Sequence, residues 1–334
     1  MPAVTDFNPQ SLPAELFDAV LNYLGPKDLA LGERICKSWR QFIAEENHWK
    51  KQCQWQLNIS SHIDPQHYFP TSPSYKETLK LVLSRVFDAG TYRYYLRAEI
   101  GPVPRIPEAI SLKKWNERDP CDLTKTIGES YVWMYSPQDI EVVADASFPY
   151  QLDKPNDTDG EAPRLIPQAK PETKVLKVAN TINNVEILFN HPKRGNPSKF
   201  SYISQLVHQQ HGNKRFPSGW ICMRKDVIGR NEDFAQQQTT AQTLRVVLHP
   251  LLYRINLNFL IHVSSGKANV YLDRQQPYTY ARTSTIVLDE QGNAWPSGCG
   301  AGGPSGLIVH ADDLDPGSVG VAVALPAEVQ GLGT

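Results

Sequence analysis

The sequence predicts an α+β protein in which a small N-terminal unit of three helices precedes a larger, mixed domain rich in strands. Three observations support this prediction. Apolar residues recur at helical spacing up to about residue 55, the spacing changes to alternation near residue 91, and strand-like segments then continue through most of the chain. We place the helical domain at residues 8–55, a linker and connecting helix at 56–90, and the larger α+β domain at 91–334.

The N-terminal unit is predicted to begin with a helix between Pro13 and the Gly25-Pro26 pair, since proline is tolerated in a first helical turn and Gly-Pro ends a helix. Its apolar face consists of Leu16, Phe17, Val20, Leu21 and Leu24. A second helical stretch begins near Asp28, a good N-cap, and includes Gly32, which is expected to cost the helix about 1 kcal/mol. The apolar positions of this stretch are Leu29, Ile35, Cys36, Trp39, Phe42 and Ile43, and Trp49 closes the unit.

The connecting region contains a polar segment and a helix. Residues 58–74 are rich in proline, serine and histidine, which predicts a linker or surface loop. Ser74 and Glu77 have the spacing of a capping box, and the apolar residues that follow predict a helix that reaches Phe87. Residues 91–100 then alternate between apolar and polar side chains, as a half-buried strand does.

The larger domain is predicted to be mainly β. Strands are expected at Tyr131–Tyr135, Ile140–Ala144, Val175–Val178, Trp220–Arg224, Thr285–Leu288, Leu307–His310 and Val319–Ala324. The proline-rich segments 101–107 and 151–173 are expected neither to pair nor to bury much. One helical region, 233–263, interrupts the strands, and Pro250 is expected to open its second half.

Composition excludes several classes of function. The 334 residues carry 34 basic and 35 acidic side chains, a net charge of −1, so no overall field draws the chain to nucleic acid or to an anionic membrane. No apolar run reaches the roughly 18 residues of a membrane span, and the N-terminus lacks a secretory signal pattern. The five cysteines form no close pair, which fits a reducing, cytoplasmic location without disulfides or a structural metal.

Short motifs follow one another in the N-terminal unit: Leu12-Pro13-x-Glu15, Leu21-x-x-Leu24, Asp28-Leu29, Ile35-Cys36-Lys37-x-Trp39 and Trp49-Lys50. Their order and spacing resemble an F-box, a three-helix module that docks on the adaptor subunit of cullin-based ubiquitin ligases. The resemblance covers about residues 12–53. It implies that the rest of the chain holds a target protein, and that the chain acts as a substrate adaptor with no catalytic residue, metal or cofactor of its own.

The resemblance also suggests which residues contact the ligase adaptor. They are Leu12, Pro13, Leu16, Val20, Leu21, Leu29, Cys36 and Trp39. A small helical unit cannot bury every apolar side chain, and the exposed remainder can form a helix-on-helix interface. Ile35 and Trp39 are equally suited to holding the three helices together, and the sequence does not separate the two roles. The alternative interpretation is a plain helical interaction module with no connection to ubiquitin.

The larger domain resembles a family of F-box proteins from environmental chlamydiae that live inside amoebae. The resemblance lies in Thr126-Ile-Gly-Glu-Ser-Tyr-Val-Trp-Met-Tyr135 and in residues 152–157, 212–215, 220–228, 281–285, 298–306 and 319–322. Because bacteria have no cullin ligases of their own, it implies an effector that works in the host cytosol and recruits host ubiquitination to an unknown target protein.

Two alternative chemistries have weaker sequence support. Cys299 lies in a glycine-rich segment that is expected to be a loop, where His249, His262 or His310 would have to serve as the base of a thiol enzyme. Residues 185–230 carry eight basic against two acidic side chains with interleaved aromatics, a composition that single-stranded nucleic acid or an acidic protein surface would fit. The chain's net charge argues against nucleic acid, and His191, His208 and His211 lack the partners of a zinc site.

Overall fold

The computed structural model describes residues 16, 21, 24, 26–35, 37–44, 46–56, 61–69, 72–87, 92, 98–104, 112–153, 161–190, 200–265, 280–301, 307–311 and 319–326. The chain divides into two compact units, Met1–Leu83 and Ser84–Thr334. Helices make up the first unit and strands dominate the second, so the predicted α+β class is confirmed.

The helices of the first unit are α1 (Pro26–Ile35), α2 (Lys37–Ile43), α3 (Glu46–Gln56) and α4 (Tyr75–Arg85), with a 3-10 turn at Pro65–Tyr68. Leu16 and Leu21 are also helical. The second predicted stretch begins at Pro26, because proline suits the first position of a helix. The prediction that the connecting helix reaches Phe87 is wrong: α4 ends at Arg85, and the two residues after it form a strand.

An apolar cluster packs the described helices of the first unit together. It consists of Leu21, Leu29, Ile43, Trp49, Cys53 and Leu79, with Leu24, Trp39 and Tyr75 packed at its edge. Polar contacts also join α4 to the other helices: Lys76 forms an ion pair with Glu33, and the Cys53 thiol lies 3.3 Å from the carbonyl oxygen of Tyr75. The connecting helix is therefore part of this packed unit up to about residue 83.

The predicted linker has defined structure in the part that is described. Asp64 caps the 3-10 turn by accepting a hydrogen bond from the Gln66 N–H at 3.0 Å. The Gln54 amide of α3 donates to the carbonyl oxygens of Ser61 and Ile63, and Phe69 is buried. These contacts, which the polar composition did not reveal, hold residues 61–69 against α3.

The second unit contains five further described helices: α5 (Ile127–Ser130), α6 (Ile182–Asn190), α7 (Gln205–His211), α8 (Phe234–Thr243) and α9 (Leu251–Ser265). Its strands are β1 (Val86–Phe87), β2 (Glu99–Ile100), β3 (Arg118–Asp119), β4 (Asp122–Thr126), β5 (Tyr131–Ser136), β6 (Asp139–Ala144), β7 (Tyr150–Leu152), β8 (Leu165–Pro167), β9 (Lys174–Ala179), β10 (Phe200–Ile203), β11 (Gly219–Arg224), β12 (Val247–Leu248), β13 (Tyr280–Leu288), β14 (Ala294–Ala301), β15 (Leu307–Ala311), β16 (Val319–Val321) and β17 (Val323–Ala324).

Two five-stranded sheets form the framework of this unit. Their strand orders are β1-β5-β11-β17-β12 and β10-β15-β14-β13-β16, and three smaller sheets pair β2-β6-β9, β3-β4 and β7-β8. All six residues of β5 are buried, because β1 and β11 pair with it on either side and its own residues are mostly large and apolar. In contrast, β6 alternates between buried and more exposed positions, as its sequence predicts.

Helix α9 lies at the centre of the second unit. It contacts β5, β13, β14 and α6, and Leu251, Ile255 and Phe259 are among its almost fully buried residues. The Phe259 ring stacks on Phe189 of α6 with the ring centroids 3.9 Å apart. The predicted apolar side of this helix therefore packs against both five-stranded sheets and against α6.

Every strand predicted beyond residue 130 is present, and three other expectations need correction. Segment 151–173 does pair, because β7 and β8 form a hairpin with Leu165 buried in it. Region 233–263 is two helices: Arg245 adopts a left-handed φ of 55°, which ends α8, and β12 follows before α9. Of the predicted strand 91–100, only residues 99–100 are a strand among those described, and Tyr92 is not.

Candidate partner-binding site

Helix α1 carries two apolar faces with opposite exposure. Leu29 and Gly32 face inward and are buried, with Leu29 at 0% exposure. Leu31 and Ile35, which are four residues apart and therefore share a side of the helix, are 47% and 66% exposed. The inward side chains are already buried against the core of the unit. The outward side chains are therefore the part of α1 that a second protein can cover.

The preceding helical segment adds another exposed apolar residue. Leu16 is helical and 56% exposed, whereas Leu21 is 1% exposed and belongs to the core. Leu16, Leu31 and Ile35 are the large hydrophobic residues that stand exposed among those the structure describes in the first unit. Exposed branched apolar side chains on a small helical unit are typical of a helix-on-helix interface.

The residues that the sequence associated with the ligase adaptor fall into three groups. Leu16 is exposed, while Leu21 and Leu29 are buried in the core and Trp39 is half-buried at its edge. The structure places Ile35, for which the sequence left two roles open, on the surface. The remaining members, Leu12, Pro13, Val20 and Cys36, lie outside the described residues.

Leu31 was not identified from the sequence. The available signal was its spacing of four residues from Ile35, which puts both on one side of any helix that spans them. That spacing does not by itself show which side of the helix the core covers. Only the positions of α2 and α4 decide that Leu29 is covered and Leu31 is not.

Gly32 has a packing role that helix propensity alone did not suggest. A Cβ atom at this position would lie 2.6 Å from Cδ1 of Ile43 and 3.0 Å from the ring of Trp39. The glycine therefore lets α1 and α2 approach closely. The loss of helix propensity is compensated by contacts between the two helices.

Cys299 is not in a loop, contrary to expectation. It lies in β14, whose small residues pair with both β13 and β15, and its side chain is fully buried. Burial raises the pKa of the thiol to about 12, and its polar neighbours include the side chains of Asn258 and Arg254. Because the thiolate is the nucleophilic form of cysteine, a buried thiol with this pKa does not suit covalent catalysis.

One of the candidate bases, His249, is poorly suited to that role. Burial and the nearby Arg254 lower the pKa of His249 to about 3, and its side chain is in the interior. The His310 ring packs beside Tyr202 and Tyr280. The side chain of His262 lies outside the described part of the chain.

The histidine pair in α7 makes structural contacts. His208 lies 2.7 Å from the Asn183 side chain, and His211 lies 2.7 Å from the carbonyl oxygen of Ile286. His191 is not among the described residues. Across the part of the chain that the structure describes, no three histidine, cysteine, aspartate or glutamate side chains cluster as metal ligands would.

The basic segment is partly neutralised by the fold. Arg224 points inward and donates to the Asp119 carboxylate at 3.0 and 3.1 Å, a buried ion pair. Arg215 forms an ion pair with Asp139 at 2.9 Å. Arg224 therefore does not present its charge at the surface, and Asp139 offsets the charge of Arg215.

None of the helices described here has both the length and the apolar character of a membrane span.

Comparison with known proteins identifies part of the first unit. A family described as F-box-like matches residues 9–55, which include α1, α2 and most of α3. No curated protein and no solved structure matches the chain. The first unit therefore carries an F-box-like domain, and the role of residues 56–334 has to be argued from their own geometry.

Proposed function

We propose that this chain is a substrate adaptor of a cullin–RING ubiquitin ligase. The F-box-like domain binds the Skp1-type adaptor subunit, and the second unit holds a target protein. One observation carries the proposal: a domain that matches the F-box family keeps large apolar residues exposed on its helices. The chain's role is to position the target protein. By holding it in the complex, the chain raises the effective concentration of the target near the ubiquitin-charged enzyme.

We propose two different roles for these residues, which their burial supports. Leu16, Leu31 and Ile35 are available to contact the ligase adaptor, and Leu12 and Pro13 join them by resemblance to the family. Leu21, Leu29 and Trp39 contribute indirectly, because they hold the helices that present the contact side chains. Burying the exposed part of one leucine or isoleucine contributes about 1–2 kcal/mol to binding.

The test is co-expression of the full chain with a eukaryotic Skp1-type adaptor, followed by size-exclusion chromatography. We expect a stoichiometric complex that Leu16→Ser with Ile35→Ser abolishes or strongly weakens, while the folded state is retained because both side chains are exposed. Leu12→Ala with Pro13→Ala is expected to have the same effect. Leu123→Ser is the matched control, since Leu123 is 72% exposed but lies in β4 of the second unit.

Two outcomes would contradict the proposal. If the well-folded wild-type chain forms no complex, the helical unit is a plain protein-interaction module unrelated to ubiquitin. If the complex forms and the Leu16/Ile35 double variant binds as tightly as the Leu123 control, the exposed face of α1 is not the contact surface.

The proposal extends to the origin and location of the protein. The motifs of the larger domain resemble F-box proteins of environmental chlamydiae, which supports a bacterial effector that acts in the host cytosol on host ubiquitination. The test is expression of the chain in amoebal cells, followed by affinity purification. We expect the wild-type chain to recover cullin and Skp1-type subunits and the Leu16/Ile35 double variant not to recover them. If the wild-type chain recovers none of these subunits either, the proposal is contradicted.

A further inference from the structure

The second unit contains an open cleft of about 600 Å³ beside α6, α7 and β8. Its lining combines aliphatic side chains, such as Leu165 and Ile187, with the polar side chains of Asn183, Glu186 and His208. This volume and mixture are typical of a site for a small ligand or for one side chain of a larger one.

A chain of hydrogen bonds determines the state of the histidine in this cleft. The Asn213 amide donates to the Glu161 carboxylate at 3.0 Å, and the Asn183 amide donates to the oxygen of Asn213 at 2.7 Å. The oxygen of Asn183 is then left to face Nδ1 of His208 at 2.7 Å. Because a carboxylate only accepts, it orients both amides, and His208 must carry its proton on Nδ1.

The remaining nitrogen of this histidine faces a second acceptor. Nε2 of His208 lies 3.6 Å from a carboxylate oxygen of Glu186. Whenever His208 is neutral, the proton on Nδ1 leaves a lone pair at Nε2, so two acceptors face each other. Burial raises the pKa of Glu186, and a positive charge on His208 would oppose this rise. A ligand that donates several hydrogen bonds and carries positive charge would satisfy both groups.

The charges around the cleft also favour a cation. Glu186 lines the cleft, and Glu161 lies next to it on the Asn213 side chain. Arg164 also lines the cleft, but its guanidinium lies 3.9 Å from the Asp153 carboxylate, so a cation in the cleft would face the carboxylate of Glu186. The aliphatic walls at Leu165 and Ile187 suit an apolar stem behind a charged head group.

We propose that this cleft binds an aliphatic ammonium group, which donates hydrogen bonds to Glu186 and His208 while its stem lies along Ile187. The group can arrive on a lysine side chain or on a free amine, since both present the same chemistry. This binding site goes beyond the ligase-adaptor function and does not depend on it.

Gly212 provides an independent way to perturb the site. A Cβ atom on Gly212 would lie 2.4 Å from the backbone oxygen of His208 and 2.5 Å from both the amide nitrogen and the oxygen of Asn183. Gly212→Ala therefore displaces Asn183 or the turn of α7 that carries His208, without removing any side chain that contacts the ligand. Gly219→Ala is the matched control, because a Cβ there meets nothing within 4 Å.

The experiment is isothermal titration calorimetry on the full chain at neutral pH. The probes are n-pentylamine, Nα-acetyl-lysine methylamide and the same lysine derivative acetylated on its side chain. We expect both amines to bind and the neutral acetylated compound not to bind. Glu186→Gln is expected to weaken binding by about tenfold or more, since it removes a charge-assisted hydrogen bond, while Glu172→Gln at an exposed position leaves binding unchanged.

The comparison of the two amines distinguishes the sources of the ligand. Tighter binding of the lysine derivative favours a protein lysine, and tighter binding of pentylamine favours a free amine. Gly212→Ala is expected to weaken both amines relative to Gly219→Ala. The proposal is overturned if the folded wild-type chain binds neither amine, if the acetylated compound binds equally well, or if Glu186→Gln binds like wild type.

Discussion

Replacing His249 by glutamine is expected to remove a large part of the acid sensitivity of the second unit. His249 lies between β12 and α9 with 3% of its surface exposed. Burial, followed by the positive charge of Arg254, lowers its pKa from the ordinary 6.5 to about 3. The folded protein therefore keeps this imidazole neutral at pH values where the unfolded chain protonates it.

The sign and size of the effect follow from proton linkage. Between about pH 3 and 6.5 the unfolded state binds more protons at His249, so the free energy of unfolding decreases as pH falls through this window. Each pKa unit corresponds to about 1.4 kcal/mol, so the loss approaches about 5 kcal/mol near pH 3 and is about 2 kcal/mol at pH 5. Above about pH 7 the contribution of His249 no longer changes.

The assay is urea unfolding followed by tryptophan fluorescence, at about pH 7.5 and about pH 5, for wild type and His249→Gln. Carboxylates that titrate in this range affect both proteins equally, so the comparison isolates the histidine. We expect wild type to lose about 2 kcal/mol more than the variant on acidification. His62→Gln is the control. The same change at an exposed position of the first unit should leave the loss of unfolding free energy between the two pH values as large as in wild type. Equal losses in wild type and His249→Gln would refute the reasoning.

Three further predictions concern packing and reactivity. Gly32→Ala is expected to lower the melting temperature of the first unit despite better helix propensity, because its methyl group overlaps Ile43; a higher melting temperature would contradict this. Cys299 is expected to resist iodoacetamide in the native chain, as read by mass spectrometry, because burial raises its pKa to about 12; rapid native labelling would restore the thiol-enzyme hypothesis. Gly320→Ala is expected to cost about 1–3 kcal/mol in urea unfolding, because its Cβ would meet backbone 2.7 Å away, and Gly219→Ala should cost nothing; equal effects would show that the strand tolerates the side chain.

Local patterns in the sequence were sufficient for the longer elements with a clear apolar period. Alternation predicted β6, where Val142 is buried and Val143 is exposed, because successive side chains of a strand point to opposite faces. Apolar spacing predicted α9 as a buried helix. The order of short motifs predicted the F-box-like domain, which the family match at residues 9–55 supports.

Short or polar elements were harder to predict. The sequence does not reveal α6 and α7, because they are only nine and seven residues long and the glutamines and histidines of α7 give little apolar contrast. The glycine-rich segment around Cys299 has the composition of a loop, because glycine is typical of turns. It forms β14 because partners on both sides, β13 and β15, supply its hydrogen bonds.

The sequence by itself determined which residues are apolar and which positions share a face of a helix or strand. Only the tertiary structure decided that Leu29 is core and Ile35 is surface, and that Glu186 and His208 meet in one cleft. The physical reason is the range of the interactions. Helical and strand periodicity depends on neighbours a few residues apart, whereas burial and site geometry depend on packing between elements distant in the chain.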